Sequence, residues 1–171
     1  MNIVDSGEHL ERSTIRVLVV DDYEPFRRFV CKALGKRPDT QVIGVASDGL
    51  HAIRKAEELQ PDLIVLDIGL PALNGIEAAR LIRKLCPDCK ILFLSQESSA
   101  EVAQEAFDLG AMAYVVKAHA AVELSEAVEA VCQGSLFVSK GLLSHNGASA
   151  SNTQAPETPE TPETPESLFG T

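Results

Sequence analysis

Two apolar rhythms alternate along the chain. Short, almost uninterrupted runs of Val, Ile and Leu occupy residues 15–20, 62–67, 91–94 and 113–116. Runs of that length predict strands buried on both faces, and a weaker run at 41–46 predicts another short strand. Between them, apolar positions recur every three or four residues, the period of an amphipathic helix. Pro25 suits a first helical turn, and Phe26, Phe29, Val30, Ala33 and Leu34 form one stripe up to Gly35. Asp48 can cap a second helix carrying Leu50, Ile53, Ala56 and Leu59 and ending before Pro61. A third follows Gly75, with Ile76, Ala79 and Ile82 inward and Arg80, Arg83 and Lys84 solvated. Ser98 or Ser99 can cap a fourth through Val102, Ala106 and Leu109 to Gly110. The last runs from about 121 to 132, with Leu124, Val128 and Val131 inward and Gly134 closing it.

Strand and helix therefore alternate five times. This predicts an α/β fold: a five-stranded parallel sheet, doubly wound, with helices on both faces. Right-handed crossovers bring the C-terminal ends of the strands to one edge, and ligands of open sheets bind in the crevice beyond it. Four of those ends carry a polar group: Asp21 with Asp22, then Asp67, Ser95 and Lys117. At Asp67 an apolar run meets a loop holding Gly69, Pro71, Asn74 and Gly75, so its carboxylate is displayed at a strand end. Glu97, two residues past Ser95, reads as a solvated loop acid near the same crevice.

Of 171 residues, 45% are hydrophobic, enough for one core with polar segments outside it. A net charge of −10 opposes the phosphate backbone of nucleic acid, so no direct DNA binding by this chain is expected. No apolar run is long enough to span a bilayer and the start lacks signal-peptide features, which predicts a cytoplasmic protein without a membrane partner. Residues 1–13 read as a flexible lead and 14–140 as the folded domain. From 141 to 171 the helical pattern stops, and Pro156, Pro159, Pro162 and Pro165 recur in register with glutamates, predicting a disordered, extended tail. Cys31, Cys86, Cys89 and Cys132 read as reduced thiols. Cys86-Pro87-Asp88-Cys89 has C-x-x-C spacing but follows a helix instead of opening one, and His9, His51, His119 and His145 are too scattered to complete a zinc site.

Carboxylates gathered at one sheet edge repel each other, and such a cluster persists when a cation or a shared proton offsets the repulsion. Rigid oxygen ligands suit Mg²⁺, which takes few protein carboxylates and engages phosphate oxygens. The ammonium of Lys117 and the hydroxyl of Ser95 at that rim would complete a site for a phosphoryl group, with one acid as nucleophile.

The set Asp21-Asp22, Asp67 within Leu-Asp-Ile-Gly-Leu-Pro-Ala-Leu-Asn-Gly, Ser95 and Lys117 resembles the receiver domain of two-component response regulators, over about residues 14–140. Tyr-Val-Val-Lys-Ala from Tyr114 and Gly-Ser-Leu-Phe-Val-Ser from Gly134 resemble the NarL/FixJ subgroup. The resemblance implies a CheY-like (flavodoxin-like) strand order 2-1-3-4-5 and transfer of a phosphoryl group to Asp67 from a histidine kinase or histidine phosphotransfer protein. It implies Mg²⁺ held by Asp22, Asp67 and the Gly69 carbonyl, and by Asp21 through water. Ser95 and Lys117 would grip the phosphoryl oxygens. Ser95 moving toward them would free space for Tyr114, switching a surface read by a downstream protein target or by a second copy in a homodimer. Such a domain is a phosphoacceptor, not an enzyme with a separate substrate. Residues 141–171 do not read as the subgroup's helix-turn-helix output, so the chain reads either as a stand-alone receiver acting through protein contacts or as a fragment of something longer. Ala118 stands where many members carry a cis proline, which leaves that loop's geometry open.

Three other readings fit less well. An aspartyl phosphohydrolase of the haloacid-dehalogenase kind would need Asp-x-Asp after the first strand, a spacing Asp21-Asp22-Tyr23 lacks. In a flavodoxin-like carrier Asp21 and Asp22 would repel the flavin phosphate. A pseudo-receiver, binding partners without phosphorylation, would be expected to lose one of the five site residues, and none is lost.

Overall fold

The structure, a computed structural model, describes residues 13–143. Nearly all of the expected N-terminal lead and the Pro-Glu-Thr tail lie outside the described residues. Strands β1 (Ile15–Val20), β2 (Thr40–Ala46), β3 (Leu63–Asp67), β4 (Lys90–Ser95) and β5 (Ala113–Val116) alternate with helices α1 (Glu24–Gly35), α2 (Gly49–Leu59), α3 (Gly75–Leu85), α4 (Ala100–Asp108) and α5 (Ala120–Cys132). Asp48, Asn74 and Ser99 cap α2, α3 and α4, their side-chain oxygens accepting from the amides of His51, Glu77 and Val102.

With a sixth strand, β6 (Phe137–Val138), the strands form one parallel sheet in the order β2-β1-β3-β4-β5-β6. The five-stranded expectation is thus one strand short. After α5 the chain turns at Gly134, whose φ of 78° is the left-handed conformation that glycine adopts freely. Phe137 and Val138 then pair with Ala113 and Tyr114 as β6 (Phe137–Val138), and a short α6 (Lys140–Leu143) follows. Two residues are too few for any periodicity to reveal a strand.

Alternation along each strand divides the core in two. Leu18, Val20, Ile64, Leu66, Ile91, Phe93 and Tyr114 pack with residues of α2, α3 and α4. Val17, Val19, Val65, Leu92, Leu94 and Val115 pack with Val30 and Leu34 of α1 and Leu124, Val128 and Val131 of α5. Both faces are covered, so the strands are apolar throughout and only their ends can carry polar chemistry.

Two local expectations need correction. Arg83 is half-buried, not solvated: its guanidinium donates to the carbonyl of Gly110, while Arg80 stays exposed and pairs with Glu105 at 2.7 Å. Cys86 and Cys89 are joined by a disulfide, where reduced thiols were expected. The turn through Pro87 and Asp88 brings their Cα atoms to 5.4 Å, within disulfide reach, and both residues are buried. Cys31 and Cys132 are free.

Candidate functional site

Asp67 is the last residue of β3, and 4% of its surface is exposed. The chain leaves the strand tightly: the Ile68 amide bonds the Leu94 carbonyl, and the Gly75 amide returns to the Ile68 carbonyl at 2.8 Å. A Cβ at position 75 would overlap the Asp67 carbonyl oxygen, so only glycine lets the first turn of α3 close against the acid's backbone. The Gly69 amide donates to Asp67 Oδ1 at 3.1 Å.

Asp21 follows β1 and is as buried as Asp67, whereas Asp22 is exposed. Two bonds fix this loop: the Tyr23 amide donates to Asp21 Oδ1 at 2.9 Å, and Arg27 Nη1 to the Asp21 carbonyl at 2.7 Å. Lys117 Nζ lies 2.7 Å from Asp21 Oδ2 and 2.9 Å from Asp67 Oδ2. Its third neighbour is Phe26 of α1, whose ring centroid is 4.7 Å away, a cation–π contact. Burial alone would lower the lysine's pKa, but its bonds to Asp21 and Asp67 outweigh that and hold it above the ordinary value. Burial dominates at Asp67 and pushes its carboxyl up, with Asp21 adding to the rise and Lys117 and the Gly69 amide opposing it.

Asp22, Asp67, Gly69, Ser95 and Lys117 line one open cavity of about 460 Å³, walled also by Tyr23, Ile68, Gln96 and Glu97. Convergence of the strand-end residues is therefore as expected from topology. Carboxylate oxygens of Asp21, Asp22 and Asp67 lie within 4.8 Å of one another. Asp21 Oδ2 is buried and, among the described residues, has no donor other than the Lys117 ammonium. An all-oxygen donor set with such an underserved buried oxygen fits a hard divalent cation such as Mg²⁺.

Ser95 and Tyr114 are linked through the loop after β4. Ser95 Oγ accepts from the Glu97 amide at 3.0 Å, and Tyr114 Oη donates to the Glu97 carbonyl, also at 3.0 Å. Tyr114 is fully buried, and burial raises its pKa. The backbone of Glu97 thus connects these two residues, while its exposed side chain matches the solvated reading. The Lys117–Ala118 peptide is trans, and the chain continues as a 3-10 turn (Lys117–His119) into α5. Phe26 and Arg27 escaped sequence reasoning because helical spacing places Phe26 in the core and Arg27 in solvent; only the first-turn position of both, just past Asp21-Asp22, pointed to the site.

Residues 17–129 match the response regulator receiver domain family. The chain is 33% identical over 132 residues to the transcriptional regulatory protein DegU of Brevibacillus brevis, covering 77% of this chain and 56% of DegU. It is 37% identical over 120 residues to the transcriptional regulatory protein LiaR of Bacillus subtilis, covering 70% and 57%. The chain thus spans little more than half the length of these curated relatives. A crystal structure of a LuxR-family two-component response regulator from Aurantimonas superposes with a TM-score of 0.73 at 34% identity, covering 77% of this chain and 94% of that one. Among the described residues no helix is long and apolar enough to cross a membrane. Sequence match and superposition together place the chain in the response regulator receiver domain family, as the receiver domain of a two-component response regulator with NarL/LuxR-type relatives.

Proposed function

We propose that Asp67 is the phosphoacceptor. The observation that carries this reading is the ammonium of Lys117, shared between Asp67 and Asp21, with Lys117 and Asp67 lining one cavity open to solvent. A carboxylate oxygen of Asp67 attacks the phosphorus of a phosphohistidine. The P–N bond breaks, a P–O bond forms, and the imidazole leaves with the electron pair and takes a proton from solvent. Lys117 neutralises charge on the phosphoryl oxygens, and the Ser95 hydroxyl donates to one of them after giving up the Glu97 amide. Asp22, Asp67 and the Gly69 carbonyl, with Asp21 through water, would hold Mg²⁺, which would supply further charge neutralisation when bound.

The donor is a histidine kinase or histidine phosphotransfer protein. The message leaves through Ser95 and Tyr114 to a surface of α4, β5 and α5 read by a protein, a class that includes a second copy of the chain. The unit that does this is the folded domain expected over residues 14–140, to which α6 adds Leu142 as part of the core, and it turns over nothing except its own aspartyl phosphate. Phosphotransfer profiling tests the reading: labelled phosphate should pass from one histidine kinase of the source organism to the natural chain and not to Asp67→Asn. Equal labelling of both chains would contradict it.

A further inference from the structure

Tyr114 is bound at two ends. Its hydroxyl holds the Glu97 carbonyl on the loop beside Ser95, and its own carbonyl accepts the Ser139 amide at 2.9 Å. Ser139 belongs to a segment that wraps the edge of the sheet. Phe137 and Val138 pair with β5, Ser139 is fully buried, and Leu142 sits in the same apolar cluster as Tyr114 and Val116. Gly141 packs so closely on the His119 ring that a Cβ there would lie 3.0 Å from it. The segment therefore touches both the strand of Tyr114 and the turn that begins at Lys117.

A buried carboxylate fastens it. Glu123 of α5 is 2% exposed, and both of its oxygens are committed: one accepts the Ser139 hydroxyl and the other the Lys140 amide at 3.1 Å. A buried charge held this way loses its compensation if the segment lifts, so it disfavours partial opening and makes docking close to all-or-none. Nothing in the phosphoacceptor chemistry uses Glu123 or Ser139.

We infer that residues 137–143 form a strap whose docking, clamped by Glu123, is coupled through Tyr114 to occupancy of Asp67. The inference rests on the phosphoacceptor reading of Asp67. Docking is seen with Ser95 Oγ bonded to the Glu97 amide and Tyr114 anchored on the Glu97 carbonyl. Occupancy that draws Ser95 toward Asp67 rearranges that loop, releases the tyrosine hydroxyl and shifts the strand end on which Ser139 hangs. The strap loosens as a result. Linkage makes the effect reciprocal: a weakened strap favours the occupied state by the same factor.

Amide hydrogen exchange on the full chain tests this, with beryllofluoride and Mg²⁺ as the phosphoryl stand-in and fluorine NMR to report its binding. Exchange at Ser139, Lys140 and Leu142 should quicken about fivefold or more when beryllofluoride binds. Ser139→Ala should bind beryllofluoride tighter by a similar factor. Tyr114→Phe, which keeps the ring and removes the hydroxyl anchor, should make exchange at Ser139 insensitive to it. Bound beryllofluoride with unchanged exchange at those amides in the natural chain would overturn the strap, whatever the variants do. Absence of binding would instead overturn the reading of Asp67, and the strap with it.

Discussion

The ammonium of Lys117 sits 2.7 Å from Asp21 Oδ2, an oxygen with no other donor among the described residues. Lys117 thus holds two buried acids together as well as facing the cavity. Replacing it by Met keeps much of its length and removes the charge, leaving Asp21 and Asp67 uncompensated. Breaking a buried ion pair from one side costs about 3–5 kcal/mol. Urea unfolding without metal should show a loss of that order, partly recovered with Mg²⁺; an unchanged midpoint would mean the pair is not what balances the acids.

Asp67 gives the site a pH signature. Its carboxyl pKa is raised, chiefly by burial, so the folded state binds the proton more tightly than the unfolded state does. Stability from this group is complete below the ordinary carboxylate range and falls as pH rises through the elevated value. Asp67→Asn cannot ionise and escapes that fall. Its melting temperature should match the natural chain's at acid pH and exceed it at neutral pH, in the absence of metal. A difference that does not change with pH would argue against the carboxyl as its source.

Mg²⁺ should act through linkage. At ten times its dissociation constant it adds about 1.4 kcal/mol, or about 3–6 °C in melting temperature for a domain of this size. Asp22 is exposed and lines the cavity. Asp22→Ala should therefore leave metal-free stability within about 0.5 kcal/mol and abolish the response to Mg²⁺. A variant that still responds in full would remove Asp22 from the ligand set.

Glycine 75 supports the site from behind. Gly75→Ala drives a Cβ into the Asp67–Ile68 backbone, which has no flexible side chain to give way, and should cost about 3 kcal/mol. Gly35, the last residue of α1, has nothing within 4 Å of its Cβ position. Gly35→Ala should be neutral or stabilise by about 0.5–1 kcal/mol. Chemical denaturation of the pair separates steric blockage from a general intolerance of alanine.

Much of this was legible in the sequence, for a definite reason. Strands buried on both faces read as continuous apolar runs, so their ends at Asp21, Asp67, Ser95 and Lys117 stood out, and parallel topology put those ends together. Asp48 and Ser99 were readable as caps because a cap acts within three residues of itself. What stayed hidden depends on contacts between distant segments. Phe26 looks like core until Lys117 arrives beside it. Glu123 looks like a solvated helix acid until Ser139 and Lys140 close on it. Arg83 reads as surface until Gly110 places a carbonyl in reach. The two-residue β6 carries no periodicity, and the Cys86–Cys89 bridge depends on the path of one turn.

Transfer of a phosphoryl group to Asp67 can be read by mass spectrometry of the intact chain after incubation with acetyl phosphate and Mg²⁺. The prediction is one added phosphoryl group in the natural chain, lost on hydroxylamine treatment as an acyl phosphate is, with no addition in Asp67→Asn. An unmodified natural chain, or equal modification of both, would contradict it.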